Sequence, residues 1–327
     1  LSLQTDVIPA GKGLPALIVR WLCRIFVRPT LTSWPLHGPL APVMRGIDAV
    51  FAPVPRLRGT VHDKVDAPTW RAELVRPAEL SVEDAKERGA VLYFHGGAFA
   101  FCGLRSHRRV VERIALATGL PVLTVDYRQH PIGGYAEAKA DAVEAWRHLV
   151  DVVGVAPDRI VIAGDSAGGM LTFTTGLAAS ALGERPAGLV GFSPWTDFCT
   201  KSKRAHANAR KDVFIPVNRL AGIAAVLHKL PEADLTIAPV EAKDLSLLPP
   251  VLMTASADEI LLVDAELMAE RLAAAGVPTR LTIWPGTVHA FPVLSHITPD
   301  SKRALTTATD FITERVSAAT ATAAQAA

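Results

Sequence analysis

Arg159-Ile160-Val161-Ile162-Ala163-Gly164-Asp165-Ser166-Ala167-Gly168-Gly169 reads as a short buried strand, a very tight turn and the start of a helix. Ile160, Val161 and Ile162 are apolar and β-branched, which suits a parallel strand covered on both faces. From Met170 to Leu182 the chain is rich in alanine, leucine and threonine and carries no proline, so a helix is expected there. Between them, Gly164-Asp165-Ser166-Ala167-Gly168 matches G-x-S-x-G, the pattern of a nucleophile elbow. Only small neighbours let a chain turn back so closely, and the turn lifts the serine hydroxyl above the sheet. The helix N-terminus places free N–H groups and a positive dipole end beside it.

Outward from this stretch, strands and helices alternate. Ala90 to Phe94, Pro121 to Val125, Gly188 to Phe192, Val251 to Ala255 and Arg280 to Trp284 read as strands. Helices are expected near Arg108 to Ala117, Ala136 to Val153, Leu262 to Ala275 and Lys302 to Val316. Gly59 to Val65 and Trp70 to Arg76 read as an antiparallel entry hairpin around Asp66-Ala67-Pro68. This order predicts an α/β fold: a mostly parallel, twisted sheet of about eight strands with helices on both faces, plus a helical cap. The cap is expected from an N-terminal segment, 1–55, and an insertion, 198–248. The core then takes 56–197 and 249–327. The alanine- and threonine-rich tail from Ser317 is expected to fray.

The composition bounds the chemistry. In 327 residues, half are apolar and the formal net charge is +2, which supports a sizeable core and argues against a nucleic-acid partner. Cys23, Cys102 and Cys199 are odd in number and share no metal-like spacing. They read as reduced thiols of a cytoplasmic protein. No run of about eighteen uncharged apolar residues predicts a membrane-spanning helix. The sequence opens on Leu1 without methionine, which a removed leader or a trimmed tag would explain. Leu14 to Val27 is a greasy amphipathic segment with Arg20, Arg24 and Arg28 spaced every four residues. Its plain reading is a lid helix over an apolar site. The sharper one is an interfacial helix, 14–28, whose arginines meet anionic lipid at a membrane or envelope surface.

A serine needs a base, and the base an orienting acid. Both stand after later strands. Ser256-Ala257-Asp258-Glu259 follows one, and Pro285-Gly286-Thr287-Val288-His289-Ala290-Phe291 follows the last. His289 is the expected base, ahead of His107, His130 and His296. Asp258 is the expected acid because it follows its strand directly, with Glu259 the adjacent alternative and Asp264 too far into the next helix. Asp165 is expected to be structural. Tyr93-Phe94-His95-Gly96-Gly97-Ala98-Phe99 leaves a strand for a glycine turn, so the N–H groups of Gly96 and Gly97, with that of Ala167, are the expected oxyanion donors. His95 is expected to brace that loop. Phe99, Trp195, Phe198 and Phe214 are candidate walls of a substrate pocket.

With these pieces together, the sequence resembles the hormone-sensitive-lipase-like serine esterases, bacterial family IV of the α/β-hydrolase fold, from about Ala90 to Phe291. The resemblance is carried by His95-Gly96-Gly97-Ala98, Asp126-Tyr127-Arg128, Gly164 to Gly169, Ser193-Pro194-Trp195-Thr196-Asp197, Asp258 and Gly286 to Phe291. It implies ester hydrolysis through an acyl-enzyme, a two-part cap, and no metal or cofactor. Short- to medium-chain acyl esters are the expected substrates of such a carboxylesterase. Two positions depart from the pattern: Ala98 replaces the third glycine of the oxyanion motif, and Pro131-Ile132 stands where Pro-Glu is common. Three alternatives remain on sequence grounds: an acyltransferase with the same triad, a membrane-surface lipase, and a non-catalytic ligand receptor on the same fold. A homodimer through edge strands or the last helix is compatible with all of them.

Overall fold

The structure is a computed structural model, described here for residues 3–11, 13–38, 40, 43, 46–227, 238–294 and 297–326. It is built on one nine-stranded sheet in the order β1-β9-β8-β7-β6-β4-β5-β3-β2. The strands are β1 (Leu3–Val7), β2 (Thr60–Asp66), β3 (Arg71–Pro77), β4 (Ala90–Phe94), β5 (Val122–Asp126), β6 (Ile160–Asp165), β7 (Gly188–Phe192), β8 (Val251–Ser256) and β9 (Thr279–Trp284). Only β2 and β3 run antiparallel to their neighbours; from β5 to β1 every pairing is parallel. The hairpin read at Asp66-Ala67-Pro68 is present, with Asp66 opposite Arg71. The central strands β4, β6, β7 and β8 are buried at every position, which their apolar and small residues allow, with Asp165 at the end of β6 the one charged residue among them.

The ninth strand was not read from the sequence. Leu3–Val7, assigned above to the N-terminal cap segment, pairs in parallel with β9 from Leu3↔Thr279 to Val7↔Ile283 and extends the core sheet. After it come α1 (Leu14–Leu22), a wider turn at Cys23–Val27, α2 (Arg28–Ser33) and the short α3 (Ile47–Val50) and α4 (Asp84–Arg88). The crossovers of the core are α5 (Arg108–Thr118), α6 (Tyr135–Arg147) and α7 (Ala167–Ala181). The insertion after β7 holds α8 (Lys201–Ala205), α9 (Asn208–Lys211) and α10 (Val217–Leu227). Two long helices, α11 (Leu262–Ala274) and α12 (Pro299–Ala326), complete the chain. Thus α12 continues through the tail that was expected to fray.

Each face of the sheet has its own core. On one, Leu92, Phe94, Ile160, Ile162 and Met253 meet α6, α7 and α11 through Trp146, Met170, Phe173 and Met268. On the other, Val91, Tyr93, Val161 and Val190 meet α5 and α12 through Val111, Ile114, Ala308 and Ile312. Helix α7 is buried along most of its length, so its apolar character all round matches its place under the sheet. Because the parallel strands share one direction, the loops after β4, β6, β7, β8 and β9 open on a single edge.

Candidate functional site

Ser166 stands between β6 and α7 with φ 54° and ψ −117°, a conformation that L-residues rarely adopt. The flanking glycines make this turn feasible. A Cβ on Gly164 would lie 2.5 Å from the Gly168 carbonyl oxygen, and one on Gly168 would lie 2.0 Å from that of Phe94. The backbone of Ser166 is held by the end of β7 and by the segment after it. Its N–H donates to the Phe192 carbonyl at 2.9 Å, and its carbonyl accepts from Trp195 N–H at 2.9 Å. Among the described residues, Ala98, Phe99, Cys102, Ser193 and Ala290 are the other non-glycine residues with positive φ, all in loops after β4, β7 and β9. Backbone strain is concentrated on the edge where the site lies.

His289 is buried in the loop after β9, and its Nδ1 lies 2.5 Å from Glu259 Oε2. A carboxylate accepts, so Nδ1 carries the hydrogen and Nε2 is left with its lone pair. Glu259 is itself fully engaged. Its Oε1 accepts from Ser193 Oγ at 2.6 Å and from Ser256 N–H at 2.7 Å. Ser193 Oγ in turn accepts from Ala290 N–H at 3.0 Å. One hydroxyl therefore links the acid loop, the histidine loop and the segment that grips Ser166. Burial alone disfavours the imidazolium of His289, but the charge and hydrogen bond of Glu259, aided by Asp212 and Asp165, outweigh it. The net result is a pKa raised above the ordinary histidine value.

Asp258 is therefore not the carboxylate on the imidazole. It points to the other side of the same turn, where it accepts from Arg20 Nη1 at 2.8 Å and from Gly286 N–H at 3.1 Å. Arg20 also donates to the Thr287 carbonyl at 3.1 Å, so α1 is fastened to both loops beside the site. Asp264 is turned away too. It accepts from Thr196 and Asp197 N–H, each at 3.0 Å, and meets the buried Lys203 Nζ at 2.8 Å. Burial pushes its carboxyl up to about 7 despite that cation.

The glycine loop after β4 also differs from expectation. Gly96 N–H donates to Asp165 Oδ1 at 3.0 Å, so that donor is already committed. Among the described residues, the N–H groups of Gly97 and Ala98 have no protein acceptor, and Ala167 N–H, first in α7, has none in its helix. These three N–H groups are open to a ligand. Asp165, expected to be structural, accepts from Tyr93 Oη at 2.8 Å, and His107 Nε2 lies 3.3 Å away. His95 stacks on Tyr127 with centroids 4.5 Å apart and donates through Nδ1 to the Gly96 carbonyl at 2.6 Å. His130 is buried behind the loop, its N–H on the Phe99 carbonyl at 2.8 Å, while His296 lies outside the described residues. Burial, then the Asp165 charge, pushes the nearby Cys102 thiol up to about 12, which keeps it protonated at neutral pH.

Of the four aromatic candidates, Phe99 and Trp195 are buried in an aromatic cluster with Tyr127 and Tyr135. Phe198 is half-buried against Tyr135 and Trp195. Phe214 is half-buried with its ring 5.3 Å from that of His289. The sequence reading missed the supports from the insertion. Asn208 Nδ2 donates to the carbonyls of Ala257 and Glu259, each at 2.8 Å. Asp212 accepts from Ile260 N–H at 2.8 Å, and also caps Phe214 and Ile215 N–H. No spacing signal marks these residues. Ser193 was at least within a quoted motif, Ser193 to Asp197. Among the described residues no cluster of His, Cys, Asp and Glu has the form of a metal site.

Residues 91–293 match a family described as the alpha/beta hydrolase fold. Esterase LipU of Mycobacterium tuberculosis is 38% identical over 262 residues, covering 78% of this chain and 87% of that protein. Carboxylesterase/phospholipase LipF of the same organism is 32% identical over 314 residues, 94% of this chain and 83% of the relative. A crystal structure of an esterase from the bacterial hormone-sensitive lipase family superposes with a TM-score of 0.80 at 28% identity, over 94% of this chain and 99% of the other.

Proposed function

The chain belongs to the alpha/beta hydrolase fold family, among its hormone-sensitive-lipase-like esterases, and hydrolyses carboxylic esters; from this premise we propose a serine carboxylesterase that works through an acyl-enzyme. Ser166 Oγ attacks the ester carbonyl while His289 Nε2 takes its proton. The same nitrogen returns the proton to the leaving alcohol, and water repeats the sequence to release the acid. Glu259, in place of Asp258, holds the imidazole tautomer and offsets its charge. Gly97, Ala98 and Ala167 N–H face the developing oxyanion. The observation that carries the reading is the 2.5 Å contact between His289 Nδ1 and a buried carboxylate wired through Ser193 to the elbow segment.

The proposed division of the chain follows the same logic. Core segments 56–197 and 249–327, joined by β1, present the site, while the remainder of 1–55 and the insertion 198–248 form the cap. Phe198 and Phe214, half-buried beside the site, support a bounded acyl pocket for short to medium chains. The free state of all three cysteines supports a reducing, cytoplasmic setting. A second reading, substrate drawn from a membrane surface, is favoured by the outward apolar side of α1. Among the described residues no helix is long and apolar enough to cross a membrane.

The test is a rate profile across p-nitrophenyl esters of increasing acyl length, with a fluorophosphonate probe followed by peptide mass analysis. Peak turnover on short or medium chains and modification at Ser166 are expected. A probe that labels another residue, or none, overturns the mechanism. One further outcome tests the oxyanion donors. Gly97 has φ 121°, and a Cβ there would lie 1.8 Å from the Phe101 carbonyl oxygen, so alanine must shift the loop. Gly97→Ala is expected to lower kcat by roughly a hundredfold, since one such donor contributes about 3 kcal/mol. Unchanged kcat in a folded variant would remove this loop from the mechanism.

A further inference from the structure

The segment from α1 through the wider turn to Arg28 is amphipathic in an inverted sense: its anchoring arginines face the protein and a stripe of large apolar side chains faces out. Arg20 is spent on Asp258 and the Thr287 carbonyl, and Arg28 donates to the carbonyls of Asp212 and Ile215. Val19, Cys23 and Val27 pack inward against Trp284, Val288 and Phe291. This leaves Leu14, Leu17, Ile18, Trp21, Ile25 and Phe26 outside, with Leu17 65%, Trp21 57% and Phe26 59% exposed. They recur at helical spacing, and the Trp21 and Phe26 rings meet edge to face. Scattered exposed apolar residues are ordinary, but a continuous face of this kind marks a surface that something covers.

The charges around the face identify what. From Val7 to Ile47 there is no aspartate or glutamate, while Lys12, Arg20, Arg24, Arg28 and Arg45 are basic. From Cys199 to Lys211 there is again no acid, with five lysines and arginines. The two segments are neighbours, because Arg28 bonds to Asp212 directly after Lys211. Arg24, Arg210 and Lys211 are exposed there. The whole chain carries a net charge of only +2, so these two segments hold an excess of positive charge and the remainder is net acidic.

We propose that the outer face of α1 and of the wider turn after it, with its rim of Arg24, Arg210 and Lys211, docks this protein on the surface of an anionic lipid bilayer. An outward apolar stripe lying in the headgroup region, flanked by cations, is the arrangement by which a helix binds such a surface without crossing it. A second copy of the chain would bring the same positive rim against itself, which disfavours that occupant. Docking in this way also sets the site's direction. Helix α1 is bonded to the loops that carry Glu259 and His289, so the esterase site lies directly under the docked helix, beside lipid-dissolved esters. The inference deepens the esterase reading and rests on it for the meaning of that orientation, though not for the docking itself.

Flotation with vesicles of mixed phosphatidylglycerol and phosphatidylcholine, against phosphatidylcholine alone, tests it. The wild-type protein is expected to float with the anionic vesicles, and the double variant Trp21→Glu, Phe26→Glu to partition at least about tenfold less. Both proteins should hydrolyse soluble p-nitrophenyl acetate equally without vesicles. Quenching of wild-type tryptophan fluorescence by brominated anionic lipid, which requires no substitution, is expected as well. The proposal is overturned if the wild-type protein stays unbound, if it binds neutral vesicles equally well, or if the glutamates change nothing. It is also overturned if sedimentation shows a dimer that the glutamates dissociate and that does not float. Loss of soluble-ester hydrolysis in wild type would sink the esterase reading instead, leaving flotation to decide docking.

Discussion

Ser166→Ala is expected to lower kcat on soluble esters by roughly 10⁶-fold, the scale seen when a triad nucleophile is deleted. That corresponds to about 8 kcal/mol of transition-state stabilisation, beyond what a misplaced binding residue gives. The variant should remain folded, because what holds the elbow does not involve the hydroxyl. Ser166 N–H is on the Phe192 carbonyl, its own carbonyl takes Trp195 N–H, and Gly164 and Gly168 keep the close approaches. Residual catalysis above water is expected from the oxyanion donors and binding alone. The check is paired: initial rates with p-nitrophenyl acetate, and thermal unfolding followed by circular dichroism. A folded variant that keeps even a hundredth of the activity would place the attacking group elsewhere.

How far the sequence could be read depended on whether a feature was local. The elbow was legible because its cause is local: three β-branched residues, two glycines that cannot carry a Cβ, and a helix-forming run after them. The parallel order of the core strands followed from the alternation of strand and helix patterns. Edge strand β1 was not legible. Leu3-Gln4-Thr5-Asp6-Val7 is short and mixed in polarity, and only its pairing with β9, far away in sequence, makes it a strand. The Gly96 donor was lost for a similar reason, since the acceptor that takes it, Asp165, stands 69 residues on. Of the two readings of 14–28, a lid helix and an interfacial helix, the second has all its arginines meeting lipid, yet Arg20 and Arg28 face the protein. Helical spacing tells which residues share a side, not which side is in. Their partners, Asp258 and the Asp212 carbonyl, come from distant parts of the chain.

The choice between adjacent carboxylates is the sharpest case of this kind, and it yields the second large effect. In the turn after β8, Asp258 and Glu259 must point to opposite sides, and whichever partners lie across from them decide their work. Arg20, 238 residues away, takes Asp258, and His289 takes Glu259. Glu259→Gln is therefore expected to lower kcat by about 10³- to 10⁴-fold, because the amide no longer enforces the Nδ1–H tautomer or offsets the imidazolium charge. Asp258→Asn should stay within about tenfold of wild type, since the pair it breaks with Arg20 is partly solvated and such pairs are worth roughly 1 kcal/mol or less. The pH profile separates the two roles further. Glu259 holds the His289 pKa above its ordinary value, and the base acts only when neutral, so wild-type kcat/KM should fall off on the acid side from a correspondingly raised pH. With Glu259→Gln the burial of the imidazole is left without its main counterweight, and the acid limb should move to lower pH as the rate drops. With Asp258→Asn the limb should not move. If instead the asparagine variant loses the activity and shifts the limb, while the glutamine variant does neither, the carboxylate that serves His289 during turnover is Asp258, and the contact with Glu259 belongs to a resting arrangement.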